Sequence, residues 1–318
     1  MGDARERRIG IEAAIAVLGS GGLVAMPTET VYGLAADATL PRAIAGIFAA
    51  KGRPRFNPLI VHVPTIGRAQ DLAEFDDTAL RLAVAFWPGP LTLVLPQRRG
   101  NGIADLATAG LPTIAIRVPA HPVARELLTA YDRPLAAPSA NRSGHVSPTT
   151  AAHVAADLGD ALAVILDAGP TAVGVESTIV GFEHGAAVLL RPGGVGRAAI
   201  EEVLGVRVGE PANDGRVAAP GMLASHYAPS VPLRLDAASV GTDESLIAFG
   251  ALPDWATAAT AIRNLSETGD LAEAATRLFS ALRDLEALGR PIAAMPVPHV
   301  GLGEAINDRL RRAAAPRG

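Results

Sequence analysis

The stretch Lys51-Gly52-Arg53-Pro54-Arg55-Phe56-Asn57-Pro58 is followed at once by the apolar run Leu59-Ile60-Val61-His62-Val63. Glycine and proline end a helix and shape a loop, and the apolar run after them is typical of a buried strand. Loops beside strands are where functional sites are usually built. A mobile lysine charge two residues before a planar arginine fork suits the oxygens of a phosphate. By itself, however, the octapeptide is more simply a solvated basic loop, because charged side chains are mostly exposed.

Helix-like and strand-like segments alternate around this stretch. Predicted helices cover residues 11–18, 41–51, 78–86, 123–130, 149–158 and 198–204. Predicted strands cover residues 23–26, 59–63, 91–95, 113–118, 134–137, 163–166, 175–180 and 187–190. Because several strands follow one another without a helix between them, we expect an α/β fold with a twisted, mixed parallel and antiparallel sheet and flanking helices.

The chain changes character after residue 205, which predicts one domain over residues 1–205 and a linker over 206–230. Gly, Pro, Asn and Asp cluster in the linker, and apolar periodicity fades there. Its second half carries Met222, His226 and Tyr227, which a plain tether does not need. Strands and helices then resume, so residues 231–318 are predicted to form a smaller, Rossmann-like α/β domain.

Composition excludes several classes of protein. The chain has 318 residues, of which 49% are hydrophobic and 19% charged, so it is expected to form a core. It contains no cysteine, which excludes disulfides, thiolate zinc sites and cysteine nucleophiles. A net charge of −4 argues against general nucleic-acid binding. No apolar run reaches the roughly 18 residues that span a membrane, and no secretory signal precedes the first helix, which favours a cytoplasmic location.

The common nucleotide and hydrolase motifs are missing. No G-x-x-x-x-G-K-[ST] loop, no G-x-G-x-x-G after a strand, no G-x-S-x-G elbow and no H-E-x-x-H helix occurs. The seven histidines are scattered without ligand spacing. We therefore predict no metal held by protein side chains.

Polar side chains recur instead at the ends of the predicted strands. They are Thr28, Thr30, Lys51, Arg53, Asn57, His62, Thr113, Arg117, Ser139, Asn141, Ser147, Glu176, Ser177 and Arg191. Singly, each has a structural explanation, such as a loop contact for Thr28, an Asx-turn for Asn141 or a helix N-cap for Ser147. An arginine on an apolar strand, as at Arg117, is costly unless it meets an anion. Jointly, the set predicts one anion-binding pocket at the sheet edge.

Eight ordered motifs carry a resemblance to a known family. They are Thr28-Glu29-Thr30-Val31-Tyr32-Gly33-Leu34, Lys51-Gly52-Arg53-Pro54, Asn57-Pro58-Leu59-Ile60-Val61-His62, Trp87-Pro88-Gly89-Pro90-Leu91-Thr92, Arg117-Val118-Pro119, Pro138-Ser139-Ala140-Asn141, Gly174-Val175-Glu176-Ser177-Thr178-Ile179 and Leu190-Arg191-Pro192-Gly193. In order and spacing they closely resemble the L-threonylcarbamoyladenylate synthase family, with a YrdC-type domain from about residue 10 to 205. The segment from Ala219 to Pro229 and the tail resemble the two-domain branch of that family.

The resemblance implies an activity. The family makes threonylcarbamoyl-AMP and pyrophosphate from L-threonine, bicarbonate and ATP, with Mg²⁺ on the nucleotide. The product supplies a downstream complex that attaches the threonylcarbamoyl group to tRNA. A carbamate formed on the threonine amine would attack the α-phosphate of ATP, so positioning and charge neutralisation would dominate catalysis.

The resemblance also implies residue roles. Lys51 and Arg53 would be catalytic. ATP would be bound by Lys51, Arg53, Asn57, Thr113, Ser139, Asn141, Ser147, Arg191 and Tyr227. L-threonine would be bound by Thr30, His62, Arg117, Ala137 and Ser177. Thr28 and Thr30 fall in the same motif, so the choice between them stays open. Tyr227 would fold back over the nucleotide, which makes the linker a lid whose Pro and Gly residues hinge it.

Two alternatives compete with this interpretation. The first is a non-catalytic RNA-binding or ribosome-associated module, against which the net charge and the 4% aromatic content argue. The second is carbamoyl transfer in metal-centre maturation, whose proteins add cysteine-rich zinc modules that this chain lacks. The sequence leaves open direct RNA binding, oligomeric state, channelling of the product, and whether the C-terminal domain docks a partner, senses a nucleotide or stabilises the protein.

Overall fold

The structure is a computed structural model that describes residues 2–54, 56–211, 220 and 226–316. Arg55 of the basic loop and residues 212–219 and 221–225 of the predicted lid lie outside the described residues. In the part of the chain that is described, no helix is both long enough and apolar enough to cross a membrane.

A nine-stranded sheet organises the first two thirds of the chain. Its strands are β1 Val24–Met26, β2 Gly33–Asp37, β3 Ile60–His62, β4 Leu91–Pro96, β5 Thr113–Arg117, β6 Leu135–Ala136, β7 Val164–Ile165, β8 Thr178–Glu183 and β9 Ala186–Arg191. They lie in the order β7-β1-β2-β6-β3-β5-β4-β8-β9. Three pairs are parallel, β1 with β7, β3 with β5 and β4 with β8, and the others are antiparallel. The predicted mixed sheet is thus confirmed.

Helices lie on both faces of this sheet. They are α1 Gly2–Gly19, α2 Pro41–Lys51, α3 Ile66–Leu72, α4 Asp77–Phe86, α5 Asp105–Thr108, α6 Pro122–Tyr131, α7 Ala151–Leu158 and α8 Arg197–Leu204. Ile47 of α2 and Leu82 of α4 are buried in one core with Leu93 and Ile116 of the sheet. On the other face, Val24 and Met26 pack against α1 and α6. Ile60, Val94 and Ala115 also belong to that face and form a separate apolar cluster, as the two-residue period of a strand requires.

The end of α2 fixes the position of the basic loop. Pro41 occupies the first turn, where its missing N–H costs nothing. Gly52 ends the helix with a positive φ of 60°, and its N–H reaches back to the carbonyl of Ala49. Lys51 is therefore the last helical residue, and its side chain is buried.

Three elements of the first unit were not predicted from the sequence: β2, α3 and α5. β2 reads Gly-Leu-Ala-Ala-Asp, which lacks the β-branched residues typical of strands. It forms because β1 and β6 pair with it on both sides. Tertiary pairing has overridden local propensity here.

A second, smaller unit follows. Strands β10 Leu233–Arg234, β11 Ser245–Ala248, β12 Ile262–Asn264 and β13 Ile292–Ala294 form a parallel sheet in the order β10-β13-β11-β12. Helices α9 Leu271–Glu286 and α10 Leu302–Ala314 complete it. Its core includes Val175 and Val146 of the first unit together with Phe279 and Ile306 of the second, so the two units share apolar packing.

Candidate active site

A cavity of about 50 Å³ lies where the ends of β3 and β5 meet the loops of the sheet edge. Its lining includes nine of the predicted site residues: Thr30, Arg53, His62, Arg117, Ala137, Ser139, Ser177, Arg191 and Tyr227. Residues far apart in the sequence are thus brought to one place by the sheet. Thr28, Glu176, Pro220 and His226 also line this cavity.

The two cations of the basic loop are buried against backbone carbonyls. Lys51 Nζ donates to the carbonyls of Ser139 at 2.6 Å and Asn141 at 2.5 Å. Arg53 donates to the carbonyls of Asn57 at 3.2 Å and Pro58 at 2.8 Å. Burial, reinforced by Arg53, lowers the pKa of Lys51 well below its ordinary value, and burial lowers the pKa of Arg53 to about 10. Since no carboxylate among the described residues pairs with either cation, both favour an incoming anion.

Arg117, at the end of β5, is a further cation in the lining of the cavity. Its guanidinium donates to Glu29 Oε1 at 2.6 Å, to Thr30 Oγ1 at 2.8 Å and to the carbonyl of Gly89 at 3.2 Å. Burial would raise the pKa of Glu29, but the facing guanidinium outweighs burial and lowers it. Glu29 is therefore the anion partner that an arginine on an apolar strand requires. The sequence interpretation missed Glu29, although it stands between the two threonines of one motif.

The two threonines of that motif have different contacts. Thr28 Oγ1 accepts from the N–H groups of Thr30 at 3.2 Å and Val31 at 3.3 Å, so it stabilises the loop. Thr30 Oγ1 accepts from Arg117. The Oγ1 atoms of Thr28 and Thr30 are also 2.8 Å apart. Thr30 is thus the threonine that is hydrogen-bonded directly to Arg117.

His62 stands beside Arg117 as its register partner between β3 and β5. Its Nδ1 lies 3.2 Å from the carbonyl of Ile60. Burial, followed by the nearby Arg117 charge, lowers the pKa of His62 to about 3. His62 is therefore neutral near pH 7 and adds no charge to the cavity.

Arg191, at the end of β9, lines another side of the cavity. Its guanidinium donates to the carbonyl of Ser177 at 2.8 Å, to Ser177 Oγ at 3.2 Å and to the carbonyl of Pro220 at 3.3 Å. Burial lowers the pKa of Arg191. Ser177 Oγ also lies 2.8 Å from Thr92 Oγ1. Arg191 therefore holds the start of β8 and reaches the described part of the linker.

Two predicted polar residues shape the walls through contacts of their own. The Asn141 amide donates to the carbonyls of Arg142 at 2.9 Å and His145 at 2.8 Å. Ser147 Oγ donates to Glu176 Oε1 at 2.5 Å. Ser147 does not cap a helix, because the cap of α7 is Thr150.

Several buried polar groups beside these cations have no hydrogen-bond partner among the described residues. They are both amide atoms of Asn57, Nδ1 of His226 and the hydroxyl of Tyr227. Buried polar groups are normally paired, so unpaired ones grouped beside cations indicate a place for a polar ligand. The rings of His226 and Tyr227 have centroids 4.0 Å apart, and Tyr227 is only 1% exposed. Burial and the cations Arg53, Lys51, Arg191 and Arg309 lower the pKa of His226 well below its ordinary value.

Thr113 is separated from the others. It begins β5, whereas Arg117 ends it, which places the two about 13 Å apart along the strand. Thr113 lines a different, open groove of about 510 Å³ with Val94, Val188 and Leu190. The structure thus gathers the other predicted side chains in or beside the cavity but not Thr113.

The donor set does not suit a metal cage. In the described ranges, no group of three or more His, Asp or Glu side chains could hold a metal ion. The carboxylate that lines the cavity, Glu176, already accepts from Ser147 and Arg309.

Comparison with known proteins agrees with this geometry. The family model Sua5_yciO_yrdC, described as telomere recombination, matches residues 16–193. The model Sua5_C, described as the C-terminal domain of threonylcarbamoyl-AMP synthase, matches residues 195–315.

Relatives are similar over nearly the whole chain. Threonylcarbamoyl-AMP synthases of Pyrococcus abyssi and Bacillus subtilis are each 41% identical over 96% of this chain, covering 94% and 93% of their own lengths. The crystal structure of P. abyssi Sua5 complexed with L-threonine superposes with a TM-score of 0.87 at 40% identity, over 96% of this chain and 94% of that one.

Proposed function

This chain belongs to the threonylcarbamoyl-AMP synthase family in its two-domain form, and we propose that it makes threonylcarbamoyl-AMP from L-threonine, bicarbonate and ATP. The observation that carries the proposal is the shared cavity. Arg117 stands on one wall, while Arg53 and Arg191 stand on others. One hollow therefore offers separate arginine forks to a small carboxylate and to a polyphosphate.

L-threonine would lie against Arg117, with Thr30, His62, Ala137 and Ser177 around it. The fork would take the amino-acid carboxylate, and Thr30 would fix the orientation of the fork. Neutral His62 would leave the carboxylate of the substrate paired to one cation only. The amine must be neutral to react with bicarbonate, which yields a carbamate and releases water.

The carbamate oxygen would then attack the α-phosphorus of ATP. A P–O bond to the carbamate forms, the bond to the leaving pyrophosphate breaks, and pyrophosphate leaves with its negative charge. Lys51 and Arg53 would be the catalytic residues, because fixed cations stabilise charge that develops on phosphate oxygens. No protein nucleophile is required.

ATP would enter as its Mg²⁺ complex. The triphosphate supplies the oxygens that the protein donor set lacks, and the ion neutralises part of its charge. The residues proposed to hold the nucleotide are Lys51, Arg53, Asn57, Ser139, Asn141, Ser147 and Arg191. Thr113 is the remaining predicted ATP contact, and it lines a different groove. Lys51 would exchange carbonyl partners for phosphate oxygens, which stabilises its charged form.

Tyr227 supports the lid part of the proposal. Its ring lies in the cavity lining, and its buried hydroxyl has no hydrogen-bond partner among the described residues. Bound nucleotide would provide that partner, so closure of the linker would be favoured with ATP present. The product would pass to a downstream complex that transfers the threonylcarbamoyl group to tRNA.

One experiment tests substrate and reaction together. Purified protein is incubated with Mg²⁺, ATP, bicarbonate and each of the common amino acids in turn, and pyrophosphate release is followed. We expect release that depends on L-threonine and on bicarbonate. Release that is independent of the amino acid, or none at all, would refute the proposal.

A further inference from the structure

The cavity is connected to the last helix of the chain by one buried cation. Arg309 of α10 is 0% exposed. It donates to Glu176 Oε2 at 2.7 Å and to the carbonyl of Pro192 at 3.0 Å. Its guanidinium carbon also lies 5.0 Å from the centroid of the Tyr227 ring, within the range of a cation–π contact.

Each of these contacts adjoins a residue proposed to bind ATP. Glu176 uses its second oxygen to accept from Ser147 Oγ at 2.5 Å. Pro192 directly follows Arg191 in the sequence. Tyr227 is itself the proposed lid residue. A single side chain of the C-terminal domain therefore touches the supports of three separate nucleotide contacts.

The charges around Arg309 are balanced. Asp308 Oδ2 pairs with Arg309 at 2.6 Å, and Asp308 Oδ1 pairs with Arg312 at 3.0 Å. Burial alone would lower the pKa of Arg309, but the Glu176 and Asp308 carboxylates outweigh it and raise the pKa. Burying an ion pair contributes little net stability. Four paired charges at this position are therefore better explained by geometry that they maintain.

A second helix fixes the same region from the other side. Arg283 of α9 pairs with Asp157 of α7 at 2.6 Å and donates to the carbonyl of Ser147 at 3.5 Å. It also donates to the carbonyl of Val146. Ser147 is thus held at its backbone by α9 and at its hydroxyl, through Glu176, by α10.

We propose that Arg309 is a positioning residue through which the C-terminal domain sets the geometry of the nucleotide half of the site. It orients Glu176 against Ser147, fixes the turn beside Arg191 and holds the Tyr227 ring in the cavity. This inference rests on the proposed function, because it assigns Ser147, Arg191 and Tyr227 to ATP. It gives the C-terminal domain a role in catalysis that the sequence left open.

The geometry predicts which substrate is affected. Arg309 makes no described contact with the residues proposed to bind L-threonine, which are Thr30, His62, Arg117, Ala137 and Ser177. Ser177 follows Glu176 in the sequence, but its hydroxyl makes hydrogen bonds to Thr92 and Arg191. Loss of Arg309 should therefore weaken ATP binding while the L-threonine pocket stays formed. A residue with a purely structural role would affect both ligands together.

The test uses three full-length variants. Arg309→Met removes the charge at similar length, and Arg309→Lys keeps the charge without the planar fork. Arg311→Met is the matched control, because Arg311 is exposed on the same helix and, among the described residues, donates only to the carbonyl of Asn307, within α10. Calorimetry measures the affinities for Mg²⁺-ATP and for L-threonine separately, and pyrophosphate release gives kcat and KM.

We expect Arg309→Met to weaken Mg²⁺-ATP binding about ten- to hundredfold, as loss of charge-assisted contacts does, and to keep the wild-type affinity for L-threonine. Arg309→Lys should fall between wild type and Arg309→Met, and Arg311→Met should match wild type. If Arg309→Met is unfolded at the assay temperature, the affinities of Arg309→Lys for Mg²⁺-ATP and L-threonine test the inference on their own.

Two results would overturn the inference: unchanged ATP affinity in a folded Arg309 variant, or equal loss of affinity for both ligands. These differ from failure of the proposed function. In that case the wild-type protein itself would release no pyrophosphate in response to L-threonine.

Discussion

Arg117 and Glu29 form a buried ion pair, with Nη2 and Oε1 2.6 Å apart and both side chains little exposed. The pair joins β5 to the loop after β1, and the same carboxylate accepts from the N–H of His121 at 3.3 Å. Glu29 therefore fixes the direction in which the Arg117 fork faces the cavity. Removing one partner of such a pair leaves the other charge buried and unpaired.

Replacing Glu29 should destabilise the protein strongly. We expect Glu29→Ala to lower the free energy of unfolding by about 3–5 kcal/mol, because Arg117 stays buried without its anion. Denaturant unfolding measures this. Asp284→Ala is the matched control, since its pair with Arg263 is about half exposed on both sides and such pairs contribute about 0–1 kcal/mol. Similar losses in both variants would contradict the structural role of the pair.

Replacing Arg117 by lysine should affect the KM for L-threonine and the KM for ATP differently. Arg117→Lys keeps the charge but loses the planar fork, so the KM for L-threonine should rise about ten- to hundredfold while the KM for ATP changes little. Arg125→Lys, an exposed substitution on α6, controls for the chemical change. Initial rates of pyrophosphate release at varied substrate give both constants. A larger effect on ATP than on threonine would mean that the carboxylate lies elsewhere.

The basic loop should govern turnover. Lys51→Ala and Arg53→Ala should each remove a contact of about 1.5–3 kcal/mol and reduce pyrophosphate release about ten- to hundredfold. Arg42→Ala is the control, since Arg42 is an exposed cation on the same helix, α2. Near-normal release by both loop variants would rule out their catalytic role.

The Tyr227 hydroxyl should destabilise the free protein and should strengthen the binding of nucleotide. A buried hydroxyl without a partner is unfavourable by about 1–3 kcal/mol, so we expect Tyr227→Phe to raise the unfolding midpoint of the free protein. The same variant should gain less stabilisation from saturating Mg²⁺-ATP than wild type does. Thermal unfolding with and without ATP tests both parts. A variant that is destabilised when free, or stabilised by ATP as much as wild type, would contradict the lid contact.

Buried neutral His62 should make the protein sensitive to acid. Its pKa is about 3 in the folded state and near 6.5 when unfolded. Between these values the unfolded chain binds a proton that the folded protein does not, so stability falls as pH falls below 6.5. The loss attributable to His62 is about 1.4 kcal/mol per pH unit, or about 2 kcal/mol at pH 5.

His62→Gln should remove that part of the pH dependence. Denaturant unfolding at pH 7.5 and pH 5 compares the variant with wild type and with His299→Gln, an exposed control. The difference in stability between the two pH values should shrink by about 2 kcal/mol in His62→Gln only. An unchanged pH dependence would show that His62 is accessible to protons in the folded state.

Much of the fold followed from local patterns. The alternation of helices and strands, the end of α2 at Gly52 and the mixed sheet could be read from periodicity and from glycine and proline positions, because these signals act within a few residues. β2 could not be read in this way, since its alanines favour no strand and its pairing partners lie on two other strands.

The sequence by itself determined which chemical groups the site contains: ordered motifs of arginine, lysine, threonine and serine that suit anions. Tertiary structure alone decided how these groups are paired. Glu29 became the partner of Arg117, Thr113 was placed in another groove, and Arg309 reached Glu176 across 133 residues of chain. Charge pairing depends on distances of a few ångströms through space, and only the packed sheet and the docked C-terminal helix set those distances.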